Sequence, residues 1–140
     1  MPTEQAMARA ALRALAHDLL REATGATAVT RLCPRCGSAQ HGRPVALVES
    51  GTAPEVSLSY APGLVAVAWG WAGRVGIDVE EAGPAVDGID RREWTRREAT
   101  LKAGGADPQL VELDVPAGYV GSVAGTEVTW RLAGPAARSA

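Results

Sequence analysis

The sequence predicts an α+β domain in which helices pack on two small antiparallel sheets. An apolar stripe at helical spacing marks residues 3–23, and a capping pattern followed by a pair of glycines marks a second helix near 91–103. Short runs rich in β-branched residues lie close together between and after these helices, which favours an antiparallel meander. With 140 residues, 46% of them hydrophobic, the chain is long enough for one domain with a single core.

The first helix has a defined start, a defined stop and two different faces. Thr3 is a capping residue, Glu4 suits the positive end of the helix dipole, and Gly25 follows the last turn. One face carries the apolar side chains Ala8, Leu12, Leu15 and Leu19, and another carries Arg9, Arg13, His17 and Arg21. The basic face is interpreted either as a solvated helix surface or as an edge that faces an anion.

The remaining elements follow in order. Strands are predicted at 45–48, 56–59, 64–69 and 75–79, with a hairpin-like turn at 61–63. Asp90 and Glu93 form a capping-box pattern at the start of the second helix, and Gly104 begins the stop. Further strands are predicted at 110–115, 119–123 and 127–132. The order suggests one domain, 1–140, with pseudo-repeat halves of about 1–80 and 81–132 and a frayed tail at 133–140.

Charge and hydropathy exclude several classes of function. The formal net charge is −2, so bulk electrostatics give no reason to expect a nucleic acid or an anionic membrane as partner. No apolar run approaches the roughly 18 to 20 residues of a membrane span, and the first residues do not resemble a secretory signal. A cytoplasmic protein is therefore expected.

Two cysteines and a histidine form a compact motif. Without an export signal, the spacing Cys33-Pro-Arg-Cys36 does not favour a structural disulfide, and no thioredoxin-like pattern surrounds it. With His41, the two thiols offer three ligands for Zn²⁺. The alternative is that both cysteines are small, partly buried residues of a tight turn.

A set of acidic residues carries the strongest chemical signal. Asp78 and Glu80 are two apart on a predicted strand and project from one face, which suits a hard divalent cation or a solvated edge. Glu98 and Lys102 are four apart and share a face of the second helix. They either join the acidic pair or form an ordinary surface ion pair.

Four motifs in order resemble the 4′-phosphopantetheinyl transferases of the larger, surfactin-type branch, over roughly residues 9–132. The motifs are Cys33-Pro-Arg-Cys-Gly37 with His41-Gly-Arg-Pro44, Ser57-Leu-Ser-Tyr60-Ala-Pro-Gly63, Val75-Gly-Ile-Asp-Val-Glu80, and Trp94-Thr-Arg-Arg-Glu-Ala-Thr-Leu-Lys102. The resemblance implies a Mg²⁺-dependent enzyme. It would transfer the 4′-phosphopantetheine arm of coenzyme A to a serine of an acyl or peptidyl carrier protein and release adenosine 3′,5′-bisphosphate.

The resemblance also assigns roles to residues. The implied metal ligands are Asp78, Glu80 and Glu98; the implied catalytic residues are Glu98, for the serine proton, and Lys102, for pyrophosphate oxygens. The implied coenzyme A contacts are Arg9, Arg13, Arg43, Pro44, Ser59, Tyr60 and Lys102.

This sequence departs from the family pattern at Tyr60, where the family usually has histidine, and in the short connection of 13 residues between Glu80 and Trp94. These departures motivate an alternative, a non-catalytic homologue that binds a carrier protein or its pantetheine arm. A homodimer is left open because pairing would cover an exposed sheet edge.

Overall fold

The computed structural model describes residues 2–32, 35–36, 43–105 and 109–138. In chain order the elements are α1 (Glu4–Thr24), β1 (Ala28–Leu32), β2 (Arg43–Leu47), β3 (Glu55–Ala61), β4 (Leu64–Gly70), β5 (Gly76–Glu81), α2 (Arg91–Lys102), β6 (Leu110–Glu112), β7 (Tyr119–Ala124), β8 (Thr129–Ala133) and α3 (Pro135–Arg138). The α+β class predicted from the sequence is confirmed. Within the described ranges, no helix is both long and apolar enough to cross a bilayer.

Every strand pair in the described ranges is antiparallel, but the strands do not follow a simple meander. The sheets have the orders β1-β2, β3-β4-β8 and β5-β7-β6. The late strand β8 returns to β4, where Val67 lies opposite Arg131. Strand β5 in turn begins the third sheet, with Asp78 opposite Ser122 on β7. The boundary near residue 80 therefore does not separate two structural halves, because the strands of each half contribute to the sheet of the other.

Strand β4 lies between two hydrophobic cores. All seven of its residues are buried, which explains the apolar run at 64–69. Val65, Val67 and Trp69 belong to the core under α1, which also contains Leu12 and Leu20. The alternate residues of β4 join the second core, which contains Ile77 and Val79 of β5. The period-two alternation of a strand thus supplies both cores from one element.

Side-chain hydroxyls join β3 to β5. Ser57 Oγ accepts a hydrogen bond from the Ile77 backbone N–H at 3.1 Å, and Ser59 Oγ accepts one from the Val79 N–H at 2.9 Å. Both serines are buried, with 4% and 5% of their surface exposed. Since buried backbone N–H groups need acceptors, these two hydroxyls provide at the sheet junction what a neighbouring strand would normally provide.

Both long helices begin with the caps that the sequence indicated. Thr3 accepts a hydrogen bond from Ala6 N–H at 3.0 Å, and Asp90 accepts one from Arg92 N–H at 2.7 Å. Gly25 ends α1 in the left-handed conformation, with φ 76°. The predicted bounds of both helices are therefore correct to within a residue or two.

Helix α2 approaches β5 very closely. A Cβ atom added at Gly76 would lie 2.0 Å from the Ala99 carbonyl oxygen and 2.7 Å from the Ala103 nitrogen. Glycine is required here because backbone atoms, unlike the end of a flexible side chain, cannot move aside. This close packing brings the end of α2, including Lys102, against the strand that carries Asp78 and Glu80.

Three parts of the fold differ from expectation. Strand β1 was not predicted, because residues 27–55 were interpreted mainly as turns. Strand β6 ends at Glu112 rather than residue 115, and Leu113 bonds back to Gly121. Residues 135–138 form a helical turn rather than a frayed tail, because Ala136 N–H bonds to the Gly63 carbonyl at 3.0 Å.

Candidate functional site

A cavity of about 540 Å³ opens beside β3, between the basic face of α1, strand β2 and the end of α2. Its described lining contains five cationic side chains and no carboxylate. The cations are Arg9, Arg31, Arg43, Arg74 and Lys102. In a chain of net charge −2, this concentration of positive charge makes the cavity the part of the described surface best suited to a polyanionic ligand.

The cavity gathers most of the residues for which coenzyme A contacts were predicted. Pro44, Ser59 and Tyr60 line it together with three of the predicted cations, Arg9, Arg43 and Lys102. Arg13 instead lines an adjoining cavity of about 340 Å³, where it meets His17 and Arg31. The basic face of α1 thus borders two connected concave surfaces, because Arg31 and Pro44 line both.

Tyr60 forms the floor of the cavity beneath Arg9. The Arg9 guanidinium lies 4.1 Å from the centre of the Tyr60 ring, within the range of a cation–π interaction. Burial raises the pKa of the Tyr60 hydroxyl, and the charges of Arg13, Arg9 and Arg31 oppose that shift. The neutral phenol therefore persists through the physiological pH range and can act as a hydrogen-bond donor.

Arg43 is held at the mouth of the cavity by an ion pair with Glu55. The guanidinium nitrogen and carboxylate oxygen are 3.1 Å apart, and each side chain is 43% exposed. Such an exposed pair contributes little to stability, so the pair can open when a stronger anion competes for the guanidinium.

Asp78 lies beneath the cavity wall, and its two carboxylate oxygens have different surroundings. Oδ1 accepts a hydrogen bond from Ser59 Oγ at 3.2 Å and lies 3.5 Å from Lys102 Nζ. Oδ2 is buried and has no hydrogen-bond partner among the described residues. Burial raises the pKa of Asp78 to about 6; Lys102 opposes this shift and the nearby Glu80 charge adds to it. A buried carboxylate oxygen without a partner is a position where a cation would be favourable.

Lys102 forms hydrogen bonds to both β3 and β5 where these two strands meet. Its ammonium donates to the Ile77 carbonyl at 2.9 Å and to the Leu58 carbonyl at 3.2 Å, in addition to its contact with Asp78. Three acceptors match the three N–H bonds of an ammonium group. The side chain remains 34% exposed at the cavity, so its positive charge still acts on the cavity although its hydrogens have acceptors inside the protein.

The predicted metal ligands are only partly assembled. Glu80 is close enough to Asp78 to raise its pKa. In the described ranges, however, no three or more His, Cys, Asp or Glu side chains are grouped so as to hold a metal ion, and Glu98 does not complete such a group. Asp78 and Glu80 still fit Mg²⁺, which binds through one or two carboxylates when substrate phosphates and water supply the other ligands.

The zinc hypothesis stays a prediction. Cys33 and His41 lie outside the described residues, and the described Cys36 is exposed.

Sequence reasoning did not select Arg31, Arg74 or Ser57, although all three line the cavity. Arg31 lies in the short strand β1, whose five residues show no strict alternation and carried little signal for a strand. Arg74 lies in the connection between β4 and β5 and carried no recognisable signal. Ser57 was quoted only as part of a motif, and its bond to Ile77 depends on a contact between β3 and β5 that the sequence does not reveal.

Comparisons of this chain with protein-family models, with curated proteins and with solved structures found no match. The likeness of its four motifs to phosphopantetheinyl transferases therefore stays a prediction. The geometry itself is a cationic cavity whose lining residues Ser59 and Lys102 contact the buried carboxylate of Asp78.

Proposed function

We propose that this protein is a Mg²⁺-dependent 4′-phosphopantetheinyl transferase with the corresponding fold, which moves the phosphopantetheine arm of coenzyme A to a serine of a carrier protein. The observation that carries the proposal is the carboxylate-free cavity lined by five cationic side chains, two of whose lining residues, Ser59 and Lys102, contact the buried Asp78. Phosphoryl transfer needs this combination, in which fixed cations bind phosphates next to carboxylates that can hold a metal ion.

Coenzyme A is complementary to the cavity in charge. It carries a pyrophosphate and a separate 3′-phosphate, and guanidinium groups bind such oxyanions through pairs of charge-assisted hydrogen bonds. A volume of about 540 Å³ is within the range of pockets that accept small ligands. In this proposal Arg9, Arg31 and Arg43 bind phosphate groups, and Tyr60 donates a hydrogen bond where the family usually has histidine.

The acidic residues and Lys102 would have different roles in the transfer. Asp78 and Glu80 would hold Mg²⁺, which would neutralise pyrophosphate oxygens when bound. Lys102 adds a fixed positive charge near the leaving phosphate. Glu98 would accept the proton of the carrier serine, whose oxygen forms the new P–O bond as adenosine 3′,5′-bisphosphate departs.

A second candidate function is favoured by two observations at the same site. The three N–H bonds of Lys102 already have acceptors within the protein, and Glu98 does not join a metal-binding group in the described residues. A protein with these features could bind coenzyme A or a pantetheine arm without transferring it. Binding and transfer must therefore be measured separately.

The first experiment is calorimetric titration of coenzyme A into the purified protein with and without Mg²⁺. We expect binding that strengthens with Mg²⁺ in the wild type and loses its Mg²⁺ dependence in Asp78→Ala. Asp114→Ala removes an exposed carboxylate outside the cavity and serves as the matched control.

Transfer is then measured as the mass gained by a panel of acyl and peptidyl carrier proteins. Metal-dependent binding followed by a phosphopantetheine mass increase supports the enzyme, and binding without any mass increase supports the non-catalytic candidate. Failure of the wild-type protein to bind coenzyme A under both conditions rejects the transferase. The non-catalytic candidate is then tested by titrating carrier proteins, with and without the pantetheine arm, and absence of that binding rejects it as well.

A further inference from the structure

We infer that Ser59 is a positioning residue for Asp78, holding one carboxylate oxygen so that the other, which is buried and has no hydrogen-bond partner among the described residues, stays available to a cation. The functional meaning of this inference rests on the proposed metal-dependent transfer. The geometry itself concerns three side chains, Ser59, Asp78 and Lys102, whose contacts lie where β3 meets β5.

The single hydroxyl proton of Ser59 has two acceptors within reach. Asp78 Oδ1 is 3.2 Å away and the Val79 carbonyl oxygen is 3.4 Å away. The carboxylate is both nearer and charged, and charge-assisted hydrogen bonds are the stronger ones. Ser59 therefore donates to Asp78 while its oxygen accepts the Val79 N–H at 2.9 Å. The hydroxyl is fixed from both sides and cannot rotate away without losing a bond.

The Asp78 carboxylate is oriented by this arrangement. Ser59 and Lys102 both contact Oδ1, whereas Oδ2 has no partner among the described residues. The Lys102 contact is the longer of the two, at 3.5 Å, and the same ammonium also serves two carbonyl oxygens. Ser59 accordingly makes the shorter of the two polar contacts that orient the carboxylate. A hydrogen-bond partner that does not itself bind the metal but orients a metal-binding carboxylate in this way is typically needed for full metal affinity.

Ser57 provides a natural control within the same strand. It lies two residues earlier, is equally buried, and accepts a backbone N–H from β5 just as Ser59 does. No hydrogen bond joins Ser57 to a carboxylate in the described part of the chain. Replacing either serine by alanine removes one acceptor from the sheet junction, but only the change at Ser59 removes a restraint on Asp78.

The test compares Ser59→Ala and Ser57→Ala in two measurements. Crystal structures of both variants without metal report the orientation of the Asp78 side chain. Calorimetric titration of Mg²⁺ into each variant saturated with coenzyme A reports metal affinity. We expect Ser59→Ala to turn the carboxylate away from its wild-type orientation and to weaken Mg²⁺ binding about tenfold or more. Ser57→Ala should keep the wild-type orientation of Asp78 and lose clearly less Mg²⁺ affinity than Ser59→Ala, although each variant loses an acceptor at the sheet junction.

The inference is overturned if Asp78 keeps its orientation in Ser59→Ala, or if the two variants lose Mg²⁺ affinity equally. If the wild type binds neither coenzyme A nor Mg²⁺, the proposed function fails, and the crystal structures still decide whether Ser59 orients Asp78. Should Ser59→Ala fail to fold, Ser59→Cys replaces it with Ser57→Cys as control, because a thiol fills the space that alanine leaves empty but is a much weaker donor than a hydroxyl.

Discussion

Replacing Asp78 by asparagine tests the electrostatics of the site in the absence of any ligand. Burial raises the pKa of Asp78 from 3.8 to about 6, so the ionised carboxylate is disfavoured in the folded protein. Asparagine keeps an oxygen that can accept from Ser59 and Lys102 but cannot ionise. The substitution therefore removes the cost of burying the charge while preserving the shape of the side chain.

The sign and the magnitude of the expected change in the free energy of unfolding follow from the linkage between proton binding and folding. Between pH 3.8 and about 6 the folded state binds the Asp78 proton more tightly than the unfolded state, so stability falls as the pH rises through this window. A change of pKa from 3.8 to about 6 corresponds to as much as about 3 kcal/mol once the group is ionised. We expect the stability of Asp78→Asn relative to wild type to rise by up to that amount between pH 4 and pH 7.5.

The free energy of unfolding is measured by urea denaturation at several pH values for wild type, Asp78→Asn and Asp114→Asn. Taking the difference from wild type cancels the titration of the other groups, and Asp114→Asn is the control substitution of an exposed carboxylate. A difference for Asp78→Asn that is flat, or that falls as the pH rises, would refute the reasoning.

Three further outcomes are expected elsewhere in the fold. Gly76→Ala should lower the free energy of unfolding by about 3 kcal/mol or more, because its Cβ would meet a backbone carbonyl of α2 at 2.0 Å; a loss below about 1 kcal/mol in urea denaturation would contradict this. Thr95→Val should cost about 1–3 kcal/mol by removing the buried hydroxyl 2.9 Å from Ser122 Oγ. Adding Ser122→Ala should restore part of that loss in a double-mutant cycle. Arg13→Ala should raise the pKa of His17, which burial and the Arg13 charge lower from 6.5; an NMR titration that finds it unchanged would exclude this interaction.

The sequence predicted elements well where local chemistry decides them. The caps at Thr3 and Asp90 act through bonds to backbone N–H groups two or three residues away, so both helices were placed correctly. The return of β8 to β4 was not foreseen, because it depends on contacts between residues far apart in the chain. Strand β1 was missed because its five residues carry one arginine and no strict alternation, and its strand character depends on pairing with β2.

The sequence identified several residues that line the cavity, but not their contacts or their arrangement in space. Six of the residues named from the resemblance line one cavity, namely Arg9, Arg43, Pro44, Ser59, Tyr60 and Lys102. The sequence could not reveal that the Lys102 hydrogens are used inside the protein, because their acceptors are backbone carbonyls of two separate strands. Nor could it reveal the different surroundings of the two Asp78 oxygens, which result from the packing of both β3 and α2 against β5.

The pairing of β8 with β4 has a consequence for synthesis of the protein on the ribosome. Strand β4 is complete by Gly70, but its partner on one side begins only at Thr129. A nascent chain that has emerged through β7 can form the third sheet while one edge of β4 still lacks its partner. We therefore expect the β3-β4-β8 sheet to be completed last, with slow folding caused by this long-range contact.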